Sequence, residues 1–145
     1  MMNRREVIYC VEDDAGIREL IVYTLKATGF EAYGFEESKG FFEAIGNKLP
    51  ELILLDVMLP NEDGITILKK LKSSAALKDI PVIMVTAKGA EYDKVLALDT
   101  GADDYITKPF GMMEMVSRIK AVLRRSGPKA ESDELRVGDI SVNIS

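Results

Sequence analysis

The chain has 145 residues, 47% of them hydrophobic and 30% charged, with a net charge of −5. That suits one globular domain with some length to spare, and makes it a poor partner for nucleic acid or anionic membrane. It contains no histidine and one cysteine, which excludes histidine catalysis, most zinc chemistry, an internal phosphohistidine and any internal disulfide.

Arg4, Arg5 and Glu6 lead straight into the short apolar run "VIYCV" (7–11), the first expected strand. With no signal peptide and no apolar run of membrane-spanning length, the expected compartment is the cytoplasm. Cys10 lies inside this run and reads as a small buried hydrophobe. The run ends abruptly in Glu12, Asp13 and Asp14, three adjacent carboxylates with no lysine or arginine next to them in sequence. A helical pattern follows, in which Ile17, Leu20, Ile21, Thr24 and Leu25 share one face, and Gly29 is placed to stop it. The remaining strand candidates are "EAYGF" (31–35), "LILLD" (52–56), "PVIMVT" (81–86) and "DYIT" (104–107), separated by helix-period segments. Gly101 is placed to stop the fourth helix. In the last helix Met112, Val116, Ile119, Val122 and Leu123 form one stripe.

Several of the strands are apolar almost throughout, as a parallel sheet covered on both faces requires. Repeated βα units with short loops predict right-handed crossovers, an α/β class and a doubly wound sheet, with ligands beyond the C-terminal strand ends. After Arg125 the texture changes. Residues 1–126 are expected to form the domain. Residues 127–134, inside the polar "SGPKAESDE", read as a linker. Residues 135–145, "LRVGDISVNIS", alternate like a strand, turn and strand, and are too short for a domain. They are expected to open a second domain that this chain lacks.

Every strand of such a sheet points the same way, so the residues at the strand ends share one rim. That rim collects Glu12, Asp13, Asp56, Thr86 and Lys108. Carboxylates crowd together where a cation sits among them. Glu12, Asp13 and Asp56 offer hard oxygen ligands, which suit Mg²⁺. Lys108 neutralises part of the remaining charge, and Thr86 brings a hydroxyl donor. Together these groups describe a site where an aspartate becomes phosphorylated. Each part also has a plainer reading: Asp13 and Asp14 as helix caps, with Asp14 mostly that, Thr86 as an ordinary strand residue and Lys108 as a solvated edge charge. Their agreement on one rim favours the site.

The segments "VEDD", "LLDVMLPNEDG", "VTAK" and "DYITKPF" resemble, in order and spacing, the response-regulator receiver domains of two-component signalling, over about residues 5–125. The resemblance implies a flavodoxin-like (CheY-like) fold, with five parallel strands in the order 2-1-3-4-5. It implies that Asp56 accepts a phosphoryl group from a sensor histidine kinase, or from a small acyl phosphate. It further implies that Asp13, Asp56 and the Met58 backbone carbonyl ligate Mg²⁺, with Glu12 acting through water. Lys108 would then pair with the phosphoryl oxygens, Thr86 would move inward to them, and Tyr105 would turn in behind Thr86. A cis peptide is implied before Pro109. Met58 and Lys88 stand where the family tunes phosphoryl lifetime.

"TGADDYITKPF" and "RIKAVLRRS" are similar to the OmpR/PhoB subfamily, and "LRVGDISVNIS" resembles the first strands of its winged-helix DNA-binding domain. DNA would then be bound only through the missing domain. The same resemblance implies a phosphorylation-dependent homodimer through the fourth helix, fifth strand and fifth helix. Val95 and Leu98 would form its apolar centre, with Lys94 facing Glu114, Asp103 facing Arg118 and Asp104 facing Arg125 across the two-fold axis. A solvated surface of intramolecular pairs is the competing reading.

Two other functions fit less well. A haloacid-dehalogenase-type phosphatase also uses an aspartate nucleophile with Mg²⁺, but its general acid/base is an aspartate two residues on. Met58 stands at that position here. A constitutive, receiver-like interaction module would have no use for so complete a site.

Overall fold

The computed structural model describes residues 5–87 and 91–126, except for the side chains of Tyr92, Asp93 and Ser126. The expected linker over 127–134, the strands over 135–145 and Lys88 lie outside the described residues.

The elements alternate along the chain as β1 (Val7–Val11), α1 (Ala15–Ala27), β2 (Glu31–Phe35), α2 (Ser38–Asn47), β3 (Leu52–Asp56), α3 (Gly64–Lys72), β4 (Val82–Ala87), α4 (Glu91–Thr100), β5 (Asp104–Lys108) and α5 (Met112–Ser126). All strand pairs are parallel, in the order β2-β1-β3-β4-β5. This is the doubly wound arrangement expected from the repeated βα units.

Side chains alternate across a strand, and the apolar runs therefore feed two cores. Val7, Tyr9 and Val11 join Ile53, Leu55, Phe41 and Leu68 on one face of the sheet. Ile8 and Cys10 join Leu52, Leu54, Ile21, Leu25 and Ile119 on the other. That is why these strands carry no polar alternation. Tyr9 brings a hydroxyl into its core and donates it to the Lys48 carbonyl at 2.6 Å.

Helix ends follow local chemistry. The Asp14 carboxylate accepts from the Ile17 amide at 3.0 Å and caps α1, and Asp63 does the same for α3 through the Thr66 amide at 2.8 Å. Gly29 and Gly101 follow α1 and α4 with φ of 102° and 119°, conformations that side chains disfavour.

The structure departs from expectation at three places. β4 runs from Val82 to Ala87, one residue later than expected at each end, and Pro81 has no amide to add to the ladder. β5 runs one residue further, to Lys108. Leu20 does not join the buried stripe of α1: it is 48% exposed, while Ile21 and Leu25 are buried. It flanks a shallow apolar cleft with Ile17, Pro109, Phe110 and Met112.

Candidate functional site

Strand register assembles the site. Val11 lies beside Leu55, so the next residues, Glu12 and Asp56, meet where β1 and β3 end. Asp56 itself pairs with Val85, and Ala87 pairs with Lys108. Lysine is long enough to cross from β5 back over β4. Its Nζ reaches Asp56 Oδ2 at 2.8 Å and Glu12 Oε1 at 3.1 Å.

Burial sharpens these contacts. Glu12 and Asp56 are only 2% and 3% exposed, while Asp13 stands exposed at the mouth. One ligand oxygen from each of the three carboxylates lies within 4.8 Å of the others. Burial, and then the negative charge of Asp56, push the Glu12 carboxyl up to about 7, against the opposing pull of the Asp14 amide and Lys108. Burial works against the Lys108 ammonium, but Asp56 and Glu12 outweigh it and its pKa is raised. Burial, with Glu12 and Asp56 nearby, also raises the Cys10 thiol, which stays protonated. One lysine cannot balance two buried carboxylates and a third at their edge. An all-oxygen donor set with surplus negative charge fits a hard divalent cation.

The site's other parts are fixed by the backbone. The Met58 amide donates to Asp56 Oδ1 at 2.9 Å, which leaves Oδ2 for Lys108. The Met58 side chain is 67% exposed. The Lys108–Pro109 peptide is cis. Thr86 is fully buried, and among the described residues its hydroxyl has no hydrogen-bond partner. A buried donor without an acceptor costs about 1–3 kcal/mol. Tyr105 is half-buried against the core on the α2–α3–α4 side of the sheet, and Lys94 Nζ sits 5.0 Å from its ring centroid.

The residues expected at a dimer interface come from α4, β5 and its approach, and α5. Val95 and Leu98 are exposed. Within the chain, Arg118 bonds Asp104 at 3.2 Å and Glu114 at 3.2 Å, and Arg125 donates to the Asp103 carbonyl at 3.3 Å. The Asp103 carboxylate accepts from the Val82 amide at 2.8 Å and lies 3.9 Å from Lys72.

Two features escaped the sequence reading. Arg18 returns from the first turns of α1 and donates to the carbonyls of Glu12 and Asp13 at 2.8 and 3.4 Å. The acidic loop therefore has an arginine after all. Gly64 presses against the backbone that carries Asp56. The sequence reading assigned Gly64 no role.

Residues 8–120 match the family described as response regulator receiver domain. The chain is 45% identical over 142 residues to the phosphate regulon transcriptional regulatory protein PhoB of Escherichia coli K12, covering 98% of this chain and 61% of that protein. It is 41% identical over 143 residues to the alkaline phosphatase synthesis transcriptional regulatory protein PhoP of Bacillus subtilis, covering 99% and 58%. The chain thus spans about three fifths of the length of these curated relatives. Among solved structures, the receiver domain of a Francisella response regulator superposes with a TM-score of 0.78 at 28% identity, covering 85% of this chain and all of that one. A CheY-like receiver domain protein from Methanospirillum hungatei gives 0.78 at 28%, covering 85% and 97%.

Proposed function

This chain belongs to the response regulator receiver domain family, and from that membership we propose that it is a cytoplasmic phosphorylation switch whose acceptor is Asp56. The donor is a sensor histidine kinase. This chain has no histidine, so the phosphohistidine lies outside it. In the transfer a carboxylate oxygen of Asp56 forms the new P–O bond, the P–N bond breaks, and its electron pair returns to the imidazole. Glu12, Asp13, Asp56 and the Met58 carbonyl would hold Mg²⁺, which when bound would offset the negative charge on the phosphoryl oxygens. Lys108 neutralises the acceptor and then pairs with the phosphoryl group. The observation that carries the reading is a buried aspartate at the end of the central strand, 2.8 Å from a lysine amine and within 4.8 Å of two further carboxylates.

The domain is a signalling part, and the only chemistry assigned to it is its own phosphoryl transfer and slow self-dephosphorylation. A haloacid-dehalogenase-type phosphatase would need an acid/base where Met58 presents an exposed thioether. Incubation with acetyl phosphate and Mg²⁺ separates the two: a receiver takes up about one phosphoryl group per chain and then slows, whereas a phosphatase releases phosphate continuously. Residues 1–126 constitute the receiver and 127–134 a linker. Residues 135–145 open a winged-helix DNA-binding domain through which the full protein regulates transcription.

Thr86 couples the phosphoryl group to the surface, with Tyr105 following it inward. Thr86→Val replaces the partnerless buried hydroxyl by a methyl group. The unphosphorylated protein should gain about 1 kcal/mol, a rise in Tm of a few degrees. Labelling should persist while the response to it weakens, as with Tyr105→Ala. A lower Tm, or labelling lost as fully as in Asp56→Asn, would refute this role.

Phosphorylation favours a two-fold dimer through α4, β5 and α5. The intramolecular pairs on this face reshape the test. Asp103→Arg would also remove the acceptor for the Val82 amide, so Lys94 and Glu114 are the better probes. Lys94→Glu should weaken the phosphorylated dimer, and adding Glu114→Lys should restore it, as read by sedimentation. Exposed pairs contribute only about 0.2–1 kcal/mol each, but an isologous pair occurs twice. A dimer indifferent to Lys94→Glu would place the interface elsewhere.

A further inference from the structure

Arg18 stands near the start of α1, where the helix dipole disfavours a cation. Its placement needs another cause, and the structure supplies one. Its guanidinium donates to the carbonyl of Glu12 at 2.8 Å and to that of Asp13 at 3.4 Å. Its aliphatic arm lies across Gly34 of β2. A Cβ on Gly34 would fall 2.7 Å from Arg18 Cγ, 3.1 Å from Cδ and 3.1 Å from Val22 Cγ2. β2 holds the same loop from a second point, because the Glu12 amide donates to the Phe35 carbonyl at 2.9 Å. The peptide planes of Glu12 and Asp13 are thus fixed from outside the acidic cluster. Among the described residues, no hydrogen bond holds the Asp13 carboxylate, so its position is set by its backbone alone.

We propose that Arg18, seated on the bare backbone of Gly34, is a positioning residue that sets the divalent-cation affinity of the Glu12–Asp13–Asp56 site. This rests on the receiver reading of that site. Arg18 touches neither the acceptor nor any carboxylate oxygen of the triad, and acts by orienting the loop that presents two of the three. A rival effect runs the other way, since a nearby positive charge repels a cation. Groups that orient ligands typically change metal affinity by about 10–100-fold when removed, while the charge of the partly exposed Arg18 is screened by solvent. Orientation therefore dominates.

Isothermal titration of Mg²⁺ into the 145-residue chain tests this, with the rise in Tm at saturating Mg²⁺ as a second readout. Arg18→Ala should weaken binding roughly 10-fold. Gly34→Ala keeps the charge but displaces the arm, and should weaken binding in the same direction. Arg18→Lys keeps the charge and the packing on Gly34 but offers no fork to span two carbonyls, so it should fall between wild type and Arg18→Ala. If Gly34→Ala fails to fold, the two Arg18 variants decide the question. Binding that is unchanged or tighter in Arg18→Ala overturns the proposal while leaving the receiver reading standing. No Mg²⁺ binding by the wild-type chain overturns both.

Discussion

Asp56→Asn should abolish phosphoryl uptake altogether. Mass spectrometry after acetyl phosphate and Mg²⁺ should show one added phosphate in the wild-type chain and none in the variant. The prediction is this sharp because the three carboxylates are not equivalent. Glu12 is as buried as Asp56 and also meets Lys108, but burial and the negative charge of Asp56 raise its carboxyl pKa, and one of its oxygens accepts from the Asp14 amide. Asp13 is exposed, and among the described residues it forms no ion pair with a lysine or arginine. Asp56 closes the central strand and meets the lysine amine at 2.8 Å, closer than Glu12 at 3.1 Å, with its other oxygen fixed by the Met58 amide. An amide at that position keeps the shape and the hydrogen bond from Met58 but loses the nucleophile. Labelling should also stop in EDTA. Phosphate found on the Asp56→Asn protein would mean that another residue is the acceptor.

Gly64→Ala should be the most damaging single-carbon change in the domain. The added Cβ would lie 2.1 Å from the Asp56 carbonyl oxygen, 2.8 Å from its carbonyl carbon and 2.8 Å from Val57 Cα. All three are backbone atoms at the end of the central strand, so none can rotate away. The Gly64 amide also donates to the Val57 carbonyl at 2.8 Å, and relieving the clash by sliding α3 outward would break that bond. Overpacking commonly costs about 1–3 kcal/mol, more where nothing yields. A loss of about 3 kcal/mol or more is expected, a large share of the roughly 5–15 kcal/mol a domain possesses. Urea unfolding should show a far lower midpoint. Any folded fraction should label poorly, since the displaced backbone carries the acceptor. A variant within about 1 kcal/mol of wild type would show that this end of β3 yields.

The strands and the rim were legible in the sequence for one physical reason. A parallel sheet covered on both faces needs continuous apolar runs, so a polar residue closing such a run has to lie at its rim. Asp56 after "LILL" and Glu12 after "VIYCV" are instances. What was not legible depends on contacts between three separate segments. Arg18 stabilises the acidic loop only because β2 offers a glycine beneath its arm, and nothing in "GIREL" announces that. Leu20 fits the helical period but lies where no neighbouring element covers it fully. Asp103 and Asp104 are adjacent and identical in type. Yet one turns its carboxylate to the start of β4 and the other turns to Arg118, a division set by where β5 begins.

The strand order also has a consequence for synthesis. Parallel neighbours cannot pair until the crossover helix between them has emerged, and a chain made from its N-terminus completes β1, α1 and β2 first. β2 then closes one side of β1, with the register Val7↔Glu31 to Val11↔Phe35. From that point the sheet extends in one direction only, as β3 covers the free edge of β1, β4 that of β3 and β5 that of β4. The nascent domain therefore exposes one advancing hydrophobic edge rather than two. Those edges are β1, β3 and β4, its most apolar strands, and unpaired edges of that kind invite aggregation. The interval before β5 leaves the ribosome is the period of greatest hazard, and a chaperone that recognises extended apolar segments would find its targets there. The two strands that remain outermost in the finished sheet, β2 and β5, are the ones bearing Glu31, Tyr33, Asp104 and Lys108.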